Sequence, residues 1–178
     1  MVRTRVGYGG GTTSVPTYHH LGDYSETIQF DYDPAIISYQ KLLAIFWGGI
    51  NPHMPTFSRQ YRSAIFYGDK EQQRLAEESR AQHQASGKVF VDIMPLTTFY
   101  LAEDYHQKYY LRQVSSMMRA LKELYSNEAD LVASLLAARL NGYVGGHLNL
   151  AMLNSELGRL ELSAAARQKL LNVASGLR

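Results

Sequence analysis

The residues best suited to chemistry lie in one short stretch, residues 99–110, which holds two carboxylates, a histidine and four tyrosines. Its acids are Glu103 and Asp104, and its histidine is His106. Residues 88–94, just before it, alternate apolar and polar side chains, which predicts a half-buried strand. A strand that ends in such residues presents phenol and carboxyl donors at a sheet edge, where ligands bind. The alternative is a tyrosine-rich loop whose hydroxyls only satisfy backbone groups.

Tyr18, Glu26 and Tyr109 are further candidates, although each residue taken alone also has a structural explanation. Glu26 lies beside a predicted strand and could simply be solvated, and Asp104 could cap a helical turn. The histidines lack the spacing of a known metal motif, and no Ser-His-Asp arrangement can be read from the order of the residues. The glycine run of residues 7–11 does not have the spacing of a dinucleotide loop. We therefore predict no metal and no bound cofactor.

Composition removes several classes of function. The chain has 178 residues and no cysteine, which excludes disulfides, thiolate metal sites and a cysteine nucleophile within these residues. Eighteen basic residues are scattered against sixteen acids, so no nucleic-acid-binding footprint is indicated. No apolar window long enough for a membrane span and no signal-peptide pattern are present. We expect a soluble, cytoplasmic protein without a nucleic-acid or membrane partner.

Four strands and two helices are predicted before Arg112. The strands cover residues 2–6, 27–32, 60–66 and 88–94. Ser38 is expected to cap a helix that ends at Gly48 and Gly49, and Asp69 to cap a charged helix that runs to about residue 85. This order of elements suggests an α+β sandwich with helices on one face of the sheet.

The composition changes after Arg112, where apolar residues recur at helical spacing. Asn127 is expected to cap a helix that Gly142 stops, and Ser163 to cap a last helix that ends near Gly176. The methionine and leucine stripes of this region are interpreted as packing faces. We predict two domains, residues 1–112 and a helical extension over residues 113–178.

Six motifs, taken together, closely resemble the A-type peptide-methionine (S)-S-oxide reductases (methionine sulfoxide reductase A). They cover residues 2–112 in order and with compatible spacing. The motifs are Gly7-Tyr-Gly-Gly with Pro16-Thr-Tyr, Leu21-Gly-Asp-Tyr-Ser-Glu, Phe30-Asp-Tyr-Asp-Pro, Ile37-Ser-Tyr with Phe46-Trp, Gln60-Tyr-Arg-Ser-Ala-Ile, and Phe99-Tyr-Leu-Ala-Glu-Asp-Tyr-His-Gln. The resemblance implies a ferredoxin-like α/β plait, methionine (S)-sulfoxide as substrate, free or in proteins, and thioredoxin or another dithiol as reductant.

Sulfoxide reduction needs a nucleophile on sulfur and a proton on the departing oxygen. A carboxylic acid kept protonated by desolvation can supply the proton, and phenols can hold the oxygen without adding charge. Position by position, the resemblance implies that Glu26 is the general acid and that Tyr18 and Tyr109 donate hydrogen bonds to the oxygen. It implies that Asp104 binds the substrate amide or an ordering water, with His106 as a further substrate-binding residue.

The chain also departs from the family pattern. That pattern begins with a strand ending in Gly-Cys-Phe-Trp, followed by a helix, whereas this chain starts at the next strand. We therefore expect the nucleophilic cysteine to be missing, together with the Phe-Trp pair that encloses the substrate methyl group in the family. Tyr24 occupies a position at which the pattern of this subgroup has a His, and Val144 occupies one at which many relatives carry a recycling cysteine. Three hypotheses remain open: an N-terminally truncated reductase, a cysteine-free protein that binds Met sulfoxide or a partner without turnover, and an unrelated acid–base enzyme using Glu26 and Asp104. Whether this chain is an enzyme is thus left uncertain by its sequence.

Overall fold

The computed structural model describes residues 3–177 and shows a mixed α/β chain. In chain order the elements are β1 (Arg3–Gly9), β2 (Ser25–Asp31), α1 (Tyr39–Gly48), β3 (Ala64–Tyr67), α2 (Lys70–Gln84), β4 (Asp92–Pro95), β5 (Phe99–Leu101), a 3₁₀ turn (Asp104–His106), α3 (Tyr109–Arg112), α4 (Ser115–Lys122), α5 (Glu128–Ala133), α6 (Leu135–Val144), α7 (Leu150–Leu157) and α8 (Ala164–Ser175). They form two compact units. The first contains Val6–Glu103, and the second runs from Asp104 onward together with residues 3–5.

Two small sheets form the strand part of the fold. One has the strand order β2-β1-β5, with β1 antiparallel to β5 over Gly7 to Gly9, and the other pairs β3 and β4 in parallel. Gly7 is required where β1 meets β5, because a Cβ there would lie 2.2 Å from the carbonyl oxygen of Tyr100. The missing side chain at Gly7 therefore lets the backbone of β1 lie close to that of β5.

Side-chain caps fix where both helices of the first unit begin. The Ser38 side chain accepts a hydrogen bond from the N–H of Lys41, and Asp69 accepts one from Gln72, as predicted. The apolar faces of α1 and α2 pack with β3 around a buried cluster: Leu43, Trp47, Ile65, Ala76 and Val91. A second buried cluster of this unit contains Tyr8, Tyr24 and Ala102.

The second unit is helical from α3 onward and has a core of its own. The buried members of this core are Leu111, Met117, Ala120, Leu121, Leu131, Leu136, Ala137, Leu140, Tyr143, Leu153, Leu157, Leu170 and Ala174. A fully buried leucine contributes roughly 1.5–3 kcal/mol relative to an exposed one, so this cluster can hold the short helices together. None of the helices within residues 3–177 is both long enough and apolar enough to cross a bilayer.

The predicted strands are present, but several of their bounds are wrong. β3 begins at Ala64 instead of Gln60, and β4 begins at Asp92 instead of Lys88. The carbonyl of Gln60 accepts a hydrogen bond from the N–H of Glu26, so this residue bonds β2 without entering a ladder. Side-chain alternation in these stretches therefore extends beyond the residues that pair as strands.

The sheet that contains β1 differs from the prediction in two ways. β1 begins at Arg3 and continues to Gly9, past the predicted end at residue 6. The predicted start, Val2, lies outside the described residues. β5 was not predicted, because Phe99–Leu101 is short and its pairing partner is some ninety residues away in sequence.

The predicted helix from Asn127 to Gly142 is two helices. Asn127 caps α5 as predicted, but Ser134 has an extended backbone with ψ 139° and caps a new helix, α6, by accepting a hydrogen bond from Ala137. Gly142 lies inside α6, and Gly145 ends it. The last helix begins after Ser163 and ends at Gly176, as predicted. α3 and α7 were not predicted.

Candidate active site

Tyr18 lies in a tight turn whose backbone is held from two sides. Thr17 and His20 exchange backbone hydrogen bonds of 3.3 and 3.0 Å across the turn. The backbone N–H of Tyr18 donates to Glu103 Oε1 at 3.0 Å. The ring of Tyr18 is exposed and meets the ring of His19 edge-on, with 5.4 Å between centroids. The turn thus presents a phenol on a fixed backbone.

Glu103 lies in the stretch that the sequence singles out but was given no predicted role in the site, yet its carboxylate joins two parts of the first unit. Its Oε2 accepts a hydrogen bond of 2.6 Å from the hydroxyl of Tyr8, a β1 residue that is 2 % exposed. The chain just before it is anchored to β1, because Ala102 N donates to Val6 O. The available sequence signal was its position beside Asp104; its partners could not be read from the sequence.

A loop that carries Tyr18 is closed at its base by Asp23. The carboxylate of Asp23 accepts hydrogen bonds from the backbone N–H groups and hydroxyls of Thr12 and Thr13, at 2.8–3.2 Å. The bond from the Thr12 N–H, followed by the one from its hydroxyl, lowers the pKa of Asp23 well below its usual range. The charged carboxylate therefore fixes both ends of the segment between residues 12 and 23.

Glu26 is the second residue of β2 and has Gln60 as its partner. The Glu26 N–H donates to Gln60 O at 2.9 Å, and Gln60 Nε2 donates to Glu26 Oε1 at 2.7 Å. Glu26 is exposed at the wall of a cavity of about 500 Å³ within the first unit. β2, α1 and β3 line this cavity with apolar side chains that include Ile28, Phe30, Leu42, Phe46 and Phe66. An apolar cleft with a few polar groups is the usual form of a ligand site.

Arg62, also unassigned by the sequence, connects the segments around Glu26. Its Nε donates to Ser25 Oγ at 2.6 Å, its Nη2 to Gly10 O at 3.2 Å, and its Nη1 to Asp92 Oδ2 at 3.4 Å. The side chain is only 14 % exposed. Arg62 therefore links the ends of β1, β2 and β4 beside the acid.

Asp104, His106 and Tyr109 lie in the second unit within six residues of one another. Asp104 begins the 3₁₀ turn, its carbonyl accepts the N–H of Gln107, and its side chain is exposed. His106 is half-buried, with 4.2 Å between its ring centroid and that of Tyr105. Tyr109 begins α3 and is 56 % exposed. The turn and the first residue of α3 thus present a carboxylate and a phenol to solvent.

Lys108 fixes the backbone just before Tyr109. It has the left-handed conformation, with φ 54°, and is 6 % exposed. Its Nζ donates to the carbonyl and the hydroxyl oxygen of Thr4 at 2.6 and 2.7 Å. Burial, with a smaller contribution from Arg5, lowers the pKa of Lys108 to about 8. The Lys108–Thr4 contact therefore anchors the start of α3 within the second unit.

The sequence-predicted residues fall into two groups. In the first unit Tyr18 and Glu26 have different partners, Glu103 and Gln60 respectively. In the second unit Asp104, His106 and Tyr109 share one short segment. Within residues 3–177 no three His, Asp or Glu side chains are grouped so that they could hold a metal ion.

Comparisons with known proteins point to one family. The family model described as peptide methionine sulfoxide reductase matches residues 1–133. A peptide methionine sulfoxide reductase of Drosophila melanogaster is 36 % identical over 172 residues, which cover 94 % of this chain and 69 % of that protein. Peptide methionine sulfoxide reductase A5 of Arabidopsis thaliana is 40 % identical over 151 residues, which cover 80 % of this chain and 59 % of that protein.

Solved structures agree with the sequence matches. The crystal structure of Mxr1 from Saccharomyces cerevisiae in its reduced form has a TM-score of 0.55 and 27 % identity, covering 60 % of this chain and 68 % of that chain. The present chain spans only part of its relatives, about three fifths of the Arabidopsis protein. Because the family model covers most of the sequence and several relatives exceed a third in identity, the chain belongs to the peptide methionine sulfoxide reductase family, in its A type.

Proposed function

We propose that this chain binds methionine (S)-sulfoxide, free or in proteins, through the oxygen-binding part of a peptide-methionine (S)-S-oxide reductase site, and that residues 1–178 alone do not reduce it. Family membership supports the substrate class. The observation that carries the second half is that the sequence contains no cysteine. Serine and threonine oxygens are poor nucleophiles towards sulfoxide sulfur and yield neither a sulfenic acid nor a disulfide that a reductant could recycle.

Tyr18 and Tyr109 are proposed to donate hydrogen bonds to the sulfoxide oxygen. A phenol donates one hydrogen bond and carries no charge at neutral pH, which suits a polarised but neutral S–O group. Both rings are exposed, and the backbone at each position is fixed, by Glu103 for Tyr18 and by Lys108 just before Tyr109. Asp104 is proposed to bind the substrate amide or an ordering water, with His106 beside it.

Glu26 is proposed as the general acid of the same site. An acid that serves this role at neutral pH needs its charged form disfavoured by desolvation. Glu26 is exposed in the described structure, so the bound substrate would have to exclude water from it. The methyl thioether of the substrate is apolar, and the cavity beside Glu26 is lined mostly by apolar side chains. Substrate bound there would place hydrocarbon against the carboxyl group.

The division into a reductase-like domain over residues 1–112 and a helical extension over residues 113–178 remains our proposal, as do the ferredoxin-like plait and the cytoplasmic location. In this division the extension supports the end of the site. The N–H of Leu111, a fully buried residue of α3, donates to Asn141 Oδ1 at 3.1 Å, and Arg112 forms an ion pair with Glu128. These contacts hold α3, the helix that begins with Tyr109.

Thioredoxin or another dithiol is the reductant implied by the family. Without a thiol in residues 1–178 we expect no disulfide exchange with it. Joined to a segment that supplies a thiolate, the same oxygen site would serve the reduction of oxidised methionine in protein repair after oxidative stress.

Binding and turnover can be tested separately with N-acetyl-methionine sulfoxide amide, using its resolved S and R epimers. Calorimetry is expected to show weak binding of the S epimer and weaker binding of the R epimer. The double variant Tyr109→Phe with Glu26→Gln should bind the S epimer less tightly than the wild type. The matched control is Tyr61→Phe with Glu77→Gln, which changes the same residue types at exposed positions.

Turnover is followed by chiral chromatography in the presence of dithiothreitol. We expect the S epimer to disappear no faster than in a protein-free sample. Stereoselective loss above that control would show that the chain reduces sulfoxide without cysteine. Equal affinities of the site variant and the control variant would contradict the residue roles.

A further inference from the structure

We propose that Glu103 is a positioning residue: its carboxylate fixes the turn that carries Tyr18 and thereby sets the direction of that phenol. The inference rests on the proposed function, which gives Tyr18 the sulfoxide oxygen as its ligand. It adds a residue to which neither the motif comparison nor the family match assigns a role. It also explains why an acid stands at this position, next to Asp104 but with its side chain occupied elsewhere.

Both carboxylate oxygens of Glu103 are engaged by donors from distant parts of the chain. Oε1 accepts the backbone N–H of Tyr18 at 3.0 Å, a contact that joins residues 85 positions apart. Oε2 accepts the hydroxyl of Tyr8 at 2.6 Å, a contact that spans 95 positions. Hydrogen bonds to an ionised carboxylate are shorter and about twice as strong as neutral ones. One side chain thus ties the turn to β1.

The carboxylate is itself held in place. Tyr8 is 2 % exposed in the cluster with Tyr24 and Ala102, so its hydroxyl cannot move away without unpacking the ring. Ala102 donates its N–H to Val6 O at 3.1 Å, which continues the pairing between β1 and β5 to the residue just before Glu103. A rigid strand pair therefore carries the acceptor.

The turn has less support of its own. Residues 17–20 are closed by the two Thr17–His20 hydrogen bonds, and all four of these side chains are exposed. The bond from the Tyr18 N–H to Glu103 acts at the residue that carries the phenol. Loss of this bond would remove the contact through which Glu103 ties the backbone of Tyr18 to the strand pair.

The test separates positioning from general stabilisation. In Glu103→Ala, hydrogen exchange of the Tyr18 amide should quicken by about tenfold or more, which corresponds to one lost charge-assisted hydrogen bond. Glu103→Gln keeps one carbonyl acceptor and should restore part of the protection. Glu161→Gln, an exposed glutamate elsewhere in the chain, is the control and should leave the amide unchanged.

Affinity for the S epimer of N-acetyl-methionine sulfoxide amide is then measured in a double-mutant cycle with Tyr18→Phe. Glu103→Ala should weaken binding by about tenfold when Tyr18 is present and by less than about twofold in the Tyr18→Phe background. Equal losses in both backgrounds would overturn the proposal, since Glu103 would then act without Tyr18. Unchanged exchange of the Tyr18 amide in Glu103→Ala would overturn it as well.

If the wild type binds no sulfoxide, the proposed function fails and the cycle has no signal. The exchange experiment still decides whether Glu103 fixes the turn, because it needs no ligand. Should Glu103→Ala lose its fold, Tyr8→Phe takes its place. That variant keeps the buried ring and removes only the donor to Oε2, so it should give a smaller increase in Tyr18 exchange, and no increase would overturn the proposal.

Discussion

Replacing Arg62 by alanine is expected to remove a large part of the stability of the first unit. Three donors of this side chain bond to Ser25 Oγ, Gly10 O and Asp92 Oδ2. Ser25 and Asp92 begin β2 and β4, and Gly10 directly follows β1. Ser25 is 1 % exposed, so water cannot readily replace the guanidinium there. The variant would leave the buried Ser25 Oγ and the half-buried Gly10 O without this donor.

The size of the effect follows from burial. A hydrogen bond to a charged partner contributes about 1.5–3 kcal/mol, so the bonds to Ser25 and Gly10 together give about 3–6 kcal/mol. Asp92 is 58 % exposed, and an ion pair of this kind adds at most about 1 kcal/mol. The whole stability of a domain is about 5–15 kcal/mol. We therefore expect Arg62→Ala to lower the melting temperature by roughly 12 °C or more.

Trp47, the single tryptophan of the chain, lies buried in the first unit and reports on its unfolding by fluorescence. Arg74→Ala is the matched control, because Arg74 bonds to Glu71 and Glu78 at 2.6 and 2.5 Å but is 52 % exposed. Its shorter contacts are screened by water, so its melting temperature should stay close to that of the wild type. Equal shifts in the two variants would refute the reasoning that burial, and not contact length, decides the cost.

Three further outcomes follow from single side chains. Burial raises the pKa of Tyr39 from 10.0 to about 12, so the protonated phenol stabilises the fold fully below pH 10 and this stabilisation is lost as the pH rises towards 12. Tyr39→Phe should flatten the decline in melting temperature over this pH range. An unchanged decline would contradict burial of the phenol as its cause. Lys108 has a pKa of about 8 in the folded chain against 10.5 in the unfolded chain, so the folded state binds fewer protons and the helical unit gains stability as the pH rises between these two values. Thermal unfolding of Lys108→Met, followed by circular dichroism, should not show this gain. A gain that persists in the variant would count against burial of the ammonium group. Ser134→Ala removes the acceptor for Ala137 N and should cost about 1 kcal/mol in urea denaturation, whereas no change would mean that this cap is replaced by water.

Helix starts could be predicted because their information is local. Ser38, Asp69, Asn127 and Ser163 each accept a hydrogen bond from the N–H three residues later, and the residue type alone suggests this. Ser134 makes the same contact inside what reads as one continuous apolar stripe. The apolar stripe does not indicate the break at Ser134, because two successive helices can fill a core with the same apolar residues as one continuous helix.

Strand limits and site partners depend on contacts distant in sequence, which a pattern of neighbours does not contain. β5 is a strand only because β1 lies beside it, and Phe99–Leu101 alone is too short to show a period. In the same way the types of Tyr18 and Glu26 could be read as candidates, but their partners Glu103 and Gln60 could not. The sequence therefore identifies side chains with suitable chemistry, but only the fold shows which residues bond to them and fix their positions.

Binding of the sulfoxide oxygen and attack on its sulfur make different demands on a site. Phenols and a carboxyl group at fixed positions are enough to recognise the oxygen, and none of them requires a thiol. Attack on sulfur requires a nucleophile held beside it, and holding a reactant in place is equivalent to an effective concentration of about 10⁵–10⁸ M in favourable cases. Dithiothreitol at millimolar concentration cannot replace a cysteine held in this way, even if the oxygen is bound correctly. In residues 1–178, which contain no cysteine, affinity for the S epimer should therefore persist without measurable reduction when dithiol is added.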